Sequence, residues 1–204
     1  MKTISTLFTG FFLLSYELMA QRMAPQIGLN LVPLLARTLE LNATVLRNAE
    51  RELFVHAGYT FPQSHAQYWE SGSRYWEGES RGAYLRVGAK AYFNPNGRFR
   101  FFISPHLTAG YLEQAGKSAT VICSIIYCYA MESEGKKGGY SLSAGITGGF
   151  RVNLLPQVTL DIGIQANRFL GDNPDLQNPA IYIPGYGRRP VQGVALVQYT
   201  LKGR

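Results

Sequence analysis

The sequence predicts an all-β protein, specifically an eight-stranded, antiparallel, up-and-down transmembrane β-barrel with long outer loops and short periplasmic turns. Three observations lead to this prediction. Apolar and polar residues alternate over segments of about ten or more residues, whereas strands of globular proteins usually span about five or six. The polar face of these segments is rich in Gly, Ser and Thr, as if crowded inside a closed tube, while the other face is bulky and apolar. Short and long connections also alternate along the chain, as they do in outer-membrane barrels.

The composition agrees with β structure and restricts the class of protein. The chain has 204 residues, enough for one domain with a core, and its 22 Gly, 13 Tyr and 11 Phe favour strands joined by turns. Because no run of about twenty apolar residues follows the N-terminal segment 1–20, we expect no transmembrane helix. The net charge of +7 suits anionic lipid headgroups. It would also suit nucleic acid, but there is no Lys/Arg-rich run and no nucleic-acid motif, so we expect no such partner.

Residues 1–20 are predicted to be a secretory signal peptide. Lys2 precedes an apolar run at 7–14 that is too short to cross a bilayer, and Ala20 offers a cleavage site. The barrel domain would then span 21–204. We expect it in the outer membrane of a Gram-negative cell.

The first three strands are predicted at 25–34, 38–47 and 50–61. The first two alternate weakly, and the third alternates clearly. The apolar face of the third strand carries Leu53, Val55, Ala57, Tyr59 and Phe61, and its other face carries Glu52, Phe54, His56, Gly58 and Thr60. The short segment RNAE joins the second strand to the third.

The fourth and fifth strands, 82–93 and 98–113, form a predicted hairpin. The sequence NPNG between them favours a tight turn because Asn-Gly tolerates positive φ. Pro33 and Pro105 fall inside predicted strands, where proline cannot donate a ladder hydrogen bond. We therefore expect a bulge or a local break at Pro105.

The last three strands are predicted at 139–153, 157–169 and 188–202. Short turns thus follow the second, fourth and sixth strands, the last of them at NLLPQ. Long loops, at 62–81, 114–138 and 170–187, follow the third, fifth and seventh strands. This alternation agrees with the rule for outer-membrane barrels, and an even number of strands places both termini in the periplasm.

The sequence resembles the small eight-stranded outer-membrane barrels, the class of OmpX and the transmembrane domain of OmpA. The first strand, IGLNLVPLL, and the Ala-Gln that ends the signal peptide are similar to uncharacterised outer-membrane barrel families of the Bacteroidota. The resemblance covers nearly all of the mature chain and implies an architecture rather than an activity. One feature differs: the C-terminus reads VQYTLKGR, whereas such barrels often end on an aromatic residue.

The inward faces of the predicted strands carry many ionisable side chains. The interior of an eight-stranded barrel is only wide enough for side chains, and unpaired buried charges are costly. We therefore expect a salt-bridge network that fills and rigidifies the lumen, with a narrow conductive path as the alternative. The predicted network comprises Glu52, Arg86, Lys90, Arg100, Arg151, Asp161 and Lys202.

His56 and His106 also point inward by register. Some small outer-membrane barrels are lipid A acylhydrolases or acyltransferases, and the deacylase motif resembles His-x-Ser-Asn. The nearest strings here, VHAGY and PHLTAG, do not match it. We expect packed lumen histidines, with no catalysis, metal or cofactor. The enzyme alternative requires a His and a hydroxyl within hydrogen-bonding distance near the outer rim.

Cys123 and Cys128 enclose SIIY within the predicted loop 114–138. An oxidising compartment would allow them to pair. Residues five apart point to opposite faces of a continuous strand, so a bond between them requires a turn. We predict a disulfide-closed hairpin tip, with two unpaired cysteines as the alternative. Its apolar composition suggests contact with a partner or with lipid.

Both tryptophans lie in Tyr-Trp-Glu triplets seven residues apart, within the predicted loop 62–81. Tyr and Trp prefer the membrane interface, so Tyr68, Trp69, Tyr75 and Trp76 are predicted to form an aromatic anchor at the outer leaflet. Contact with a partner or glycan, or a short duplication without function, are the alternatives.

The expected function is structural or interactive and not catalytic. The outer loops would contact lipopolysaccharide or partner proteins, including a role as an accessory subunit of a larger envelope complex. A soluble periplasmic lipocalin-like barrel is a further alternative, and it would require bulky apolar residues inside.

Overall fold

The computed structural model describes residues 24–68, 74–94, 99–123, 127–170 and 191–201. The predicted signal peptide 1–20 lies outside these residues, as do Trp69, Lys202 and the predicted loop 170–187 apart from Leu170.

Eight antiparallel strands close into a barrel, which confirms the all-β class and the number of strands. Each strand pairs with its neighbours along the chain, and β1 pairs with β8, so closure satisfies the backbone groups around the ring. The strands are β1 (Gln26–Asn30), β2 (Thr38–Arg47), β3 (Arg51–Tyr68), β4 (Arg74–Tyr92), β5 (Phe99–Cys123), β6 (Cys128–Leu155), β7 (Val158–Phe169) and β8 (Val191–Thr200). We call the end with the β2–β3, β4–β5 and β6–β7 connections the turn end, and the opposite end the loop end.

Burial shows that the polar face of each strand points inward, as predicted. On β4, Tyr84 and Arg86 are buried, whereas Leu85 and Val87 between and beside them are 51% and 39% exposed. Charged and polar side chains therefore occupy most of the interior, together with a few apolar ones such as Phe102, Leu112 and Leu196, and most branched apolar side chains lie outside. A lipocalin-like barrel has the reverse arrangement.

A bulge on β2 turns inward a charged residue that simple alternation does not place there. The register between β2 and β3 shifts between Thr44 and Leu46, so the alternation slips by one residue. As a result, Thr44 and Arg47 are both buried.

Strand β1 is shorter than the predicted segment 25–34, and Pro33 explains the difference. The strand ends at Asn30, and Pro33 begins a short 3-10 helix, Pro33–Ala36, where its missing N–H removes no ladder bond. Arg37 then adopts a left-handed conformation, with φ of 49°, before β2 begins. Among the described residues, no helix is both long and apolar enough to span a membrane.

Strand β5 continues through Pro105 with its register intact. The ladder with β6 includes a Pro105–Ile146 pair, but the ladder with β4 stops after the Gly88–His106 pair and resumes at Ala91–Ile103. Proline has no N–H to donate, so one of its two ladders is interrupted. The predicted local break is therefore confirmed on one side, without a bulge.

Two predicted loops are largely strands. β3 and β4 extend through most of 62–81, and β5 and β6 extend through most of 114–138, so the loop predictions for these segments are wrong. The reason is tertiary: the two hairpins pair with each other, from Arg74–Thr120 to Arg81–Glu113, and so supply backbone partners that neither hairpin has alone. Together they form a four-stranded extension beyond the loop end. This projecting sheet comprises residues 63–68, 74–81, 113–123 and 128–139.

Candidate functional site

A network of charges occupies the turn end of the lumen. Its centre is Arg151, whose guanidinium donates to Glu52 at 2.5 and 3.1 Å and to Asp161 at 2.5 and 2.7 Å. Lys90 donates to the same Asp161, and Arg47 lies 3.0 Å from Glu52. Three cations therefore share two carboxylates, and each carboxylate has more than one partner. Buried charges need such multiple partners to offset the loss of water.

The residues predicted for the lumen network are only partly brought together. Glu52, Lys90, Arg151 and Asp161 meet in this cluster. Arg86 belongs to a second cluster, Arg100 stacks on Tyr92, and Lys202 lies outside the described residues. The sequence analysis missed Arg47, because only the bulge on β2 turns it inward.

The second cluster lies around Glu40, which is fully buried. Its carboxylate lies 2.7 Å from Nδ1 of His56 and accepts hydrogen bonds from Asn30 at 3.0 Å and from the hydroxyl of Tyr84. Arg86 lies 3.7 Å away and supplies a positive charge. Side chains from three strands, β1, β3 and β4, therefore surround this one carboxylate, which is what a buried charge requires.

Inward-facing glycines create the gaps through which these side chains meet. Glu40, Gly58 and Tyr84 occupy one row across β2, β3 and β4, and Tyr84 reaches Glu40 over the glycine. A Cβ at Gly58 would lie 2.2 Å from the ring of Tyr84. The same arrangement recurs at Gly28, between Gln198 and Asn42, and at Gly145, between His106 and Asn167.

We expect Gly145→Ala to lower the free energy of unfolding by about 1–3 kcal/mol through overpacking. The added Cβ would lie 2.2 Å from Oδ1 of Asn167 and 2.4 Å from Nε2 of His106, so the 2.9 Å hydrogen bond between them could not persist. Gly148→Ala is the matched control on the same strand, because a Cβ there meets nothing within 4 Å. Urea unfolding of the detergent-solubilised barrel measures both. Equal losses of stability in the two variants would show that the contact of His106 with Asn167 over Gly145 does not matter for stability.

The two buried histidines are held by lumen residues. His56 lies against Glu40, and His106 lies against Asn167 and 3.2 Å from the carbonyl oxygen of Ser104. In the part of the chain that the structure describes, neither ring is hydrogen-bonded to a Ser or Thr hydroxyl. The geometry is that of side chains packed in a filled interior.

The outer surface of the barrel carries two aromatic rows with an aliphatic band between them. Near the loop end, the rings of Tyr111 and Tyr140 lie 5.1 Å apart, and near the turn end those of Phe99 and Phe150 lie 6.4 Å apart. Tyr59 and Phe61 extend the first row, and Phe93 and Phe101 extend the second. Between the rows, β5 shows Ile103 and Leu107 to the outside.

The spacing of the two rows can be estimated along β5. Ten residues separate Phe101 from Tyr111. At about 3.4 Å per residue and a strand tilt of about 40°, they span about 26 Å along the barrel axis. The apolar band of an outer-membrane barrel is about 25 Å tall.

Charge pairs cover the outward face of the projecting sheet. Glu113 forms ion pairs with Arg81 at 2.6 Å and with Lys136 at 2.9 Å, and Lys117 forms one with Glu134 at 2.5 Å. The hydrogen bond from Lys136 lowers the pKa of Glu113, and the hydrogen bond to Glu134 raises the pKa of Lys117. Exposed ion pairs add little to the free energy of unfolding. Their main effect is to favour the observed register, because opposite charges then face each other across the strands.

Cys123 and Cys128 are joined by a disulfide at the end of the projecting sheet. The two residues face each other in the register of β5 and β6, because these antiparallel strands stay paired up to this point. The side chains beside the bond are apolar and 40–63% exposed. We call them the apolar tip: Val121, Ile122, Tyr127, Tyr129 and Met131.

The structure places the Tyr-Trp-Glu residues differently from the anchor prediction. Trp76 points to the inner face of the projecting sheet and is 7% exposed, with its ring over Gly78 and Gly116. Tyr75 faces the other side and donates to Glu77. Adjacent residues of a strand point to opposite faces, so one triplet cannot present both rings to the same surface. Tyr68 pairs with Tyr75 through the backbone, and Trp69 lies outside the described residues.

Neither metal geometry nor sequence similarity adds an assignment. Within the described ranges, no group of three or more His, Cys, Asp or Glu residues is arranged to hold a metal ion. No protein-family model matches this chain, and no curated protein does so.

Proposed function

We propose that this chain is a non-catalytic outer-membrane β-barrel of the small eight-stranded class that it resembles. The observation that carries the proposal is the pair of aromatic rows about 26 Å apart, with exposed aliphatic side chains between them. In water, a continuous apolar band of this kind is a liability. In a bilayer, lipid covers the band and the aromatic rings lie at its two interfaces.

The barrel would hold the projecting sheet at the cell surface. With short turns in the periplasm and the loop end outside, the apolar tip lies farther from the membrane than the rest of the described residues. Exposed aromatic and Met side chains are typical of contact surfaces. We propose that the tip contacts lipopolysaccharide or a partner protein, including a larger envelope complex.

The interior supports an anchoring role rather than conduction. Arg86 and Arg151 are 2% and 0% exposed and fill the lumen together with their partners. Ion transport would require these networks to separate, which leaves buried charges unpaired. Such side-chain networks suit a barrel that carries an external sheet.

Trypsin treatment of intact cells tests the membrane orientation. We expect cleavage after Lys136 or Lys137 in the projecting sheet, while Arg51, at the β2–β3 turn, stays protected until the cells are lysed. The barrel fragment should remain in the outer-membrane fraction. Recovery of the chain from the soluble periplasmic fraction, or cleavage at Arg51 alone in intact cells, would contradict the proposal.

The native mass in mild detergent tests the interaction role. We expect a discrete assembly larger than the barrel with its detergent, and we expect Ile122→Ser combined with Tyr129→Ser to release the partner, because both side chains belong to the apolar tip. Lys117→Ser is the control on the same strand, outside the tip. A monomeric barrel in every variant would argue against a stable protein partner.

A further inference from the structure

The lumen contains more positive than negative charge. Among the described residues, the buried charged side chains comprise five basic and three acidic ones. With both histidines neutral, the interior therefore carries two positive charges in excess. The buried basic side chains are Arg47, Arg86, Lys90, Arg100 and Arg151, and the buried acidic ones are Glu40, Glu52 and Asp161. A buried excess of one sign calls for a counter-ion.

The excess is concentrated at the turn end, around Arg100. This side chain is 7% exposed, and among the described residues it makes no ion pair and its buried Nε has no hydrogen-bond acceptor. Arg151 lies directly opposite Arg100 in the β5–β6 register, so two like charges face each other. Such a pair is unfavourable on a sheet.

Tyr92 lies close to both cations and carries a hydrogen-bond donor of its own. The guanidinium carbons of Arg100 and Arg151 lie 4.9 and 5.1 Å from the centroid of its ring. Its hydroxyl is buried and has no hydrogen-bond partner in the part of the chain that the structure describes. Two buried donors beside a surplus of positive charge therefore lack an acceptor in the same corner of the lumen.

We propose that this corner is a binding site for a phosphate group, formed by Arg100 and the hydroxyl of Tyr92. A phosphate oxygen accepts from several donors at once, and the planar guanidinium presents its N–H groups in a geometry that fits phosphate. The bound group would supply the negative charge that the turn end lacks. Its source is either inorganic phosphate or the phosphate of a lipid headgroup. The inference does not depend on the cellular role proposed above.

Thermal unfolding of the barrel in an uncharged detergent tests the site. At about a hundredfold the dissociation constant, phosphate should raise Tm by about 5–10 °C over chloride at equal ionic strength. Arg100→Gln should abolish the rise, and Tyr92→Phe, which removes one donor, should reduce it. Arg81→Gln, in the exposed pair with Glu113, should keep the full response. In phosphate-free buffer, Arg100→Gln should be at least as stable as the wild type, because the repulsion from Arg151 is relieved.

Two forms of the probe distinguish the sources. A rise with inorganic phosphate identifies a site for the soluble ion. A rise only when phosphatidylglycerol, but not uncharged diacylglycerol, is added to the micelles identifies a lipid headgroup. An equal response of the wild type and Arg100→Gln, or no response to either form, overturns the proposal.

Discussion

Leu107→Arg is expected to destabilise the folded barrel in lipid by about 2–4 kcal/mol, because it would place a charge near the middle of the apolar band. Leu107 is 52% exposed on the outer face of β5 and lies between Phe101 and Tyr111, which mark the two aromatic rows. The new side chain meets no packed interior there. Any large loss of stability would therefore show that lipid, and not water, surrounds this position. Reversible urea unfolding from phosphatidylcholine vesicles measures it.

Val121→Arg provides a matched control for this experiment. Val121 shares the strand and the outward face of Leu107 and is 40% exposed, but it lies in the apolar tip, beyond the aromatic rows. We expect a change within about 0.5 kcal/mol for this surface substitution. If the two variants were equally stable, the band would face water and the proposed membrane location would fail.

Arg151→Met should cost about 3–5 kcal/mol of unfolding free energy, which is the typical loss when one member of a buried charge network is removed. Met approximates the length of the Arg stem but cannot donate. Glu52 and Asp161 would lose the four hydrogen bonds of 2.5–3.1 Å that Arg151 gives them. Lys90 and Arg47 remain, but they cannot replace the guanidinium that joins the two carboxylates.

Adding Glu52→Gln and Asp161→Asn to Arg151→Met should increase the loss. The triple variant removes the two carboxylates that still pair with Lys90 and Arg47 in the single variant, so these buried cations lose their partners. Urea unfolding of the single and triple variants under the same conditions gives the comparison. If the single variant unfolded like the wild type, the network would contribute nothing to holding the strands together.

The success of the strand predictions has a local cause. An extended backbone turns successive side chains to opposite faces, so the pattern of β4 and β5 is visible in the sequence itself. The tight connections after β2 and β6 were likewise readable from their turn residues. These signals need no knowledge of which strand lies beside which.

The failures arise where a partner decides the outcome. Residues 114–138 read as a loop because the outer parts of β5 and β6 are largely exposed on both faces, so the contrast between apolar and polar sides weakens. β5 continues toward the disulfide because it pairs with β4 and β6, and β6 does so because it pairs with β5. Arg47 was missed for a related reason, because a bulge is a property of the β2–β3 pair.

By itself, the sequence determined the number of strands, the face of each that turns inward and the polar character of the lumen, because all three follow from an alternation carried by the extended chain. Only the tertiary structure decided which charges meet. Arg151 and Glu52 are 99 residues apart and join because closure brings β3 and β6 to face each other across the lumen. It also decided that Arg100 has no carboxylate partner among the described residues, because register and closure fix the distances between strands and alternation does not.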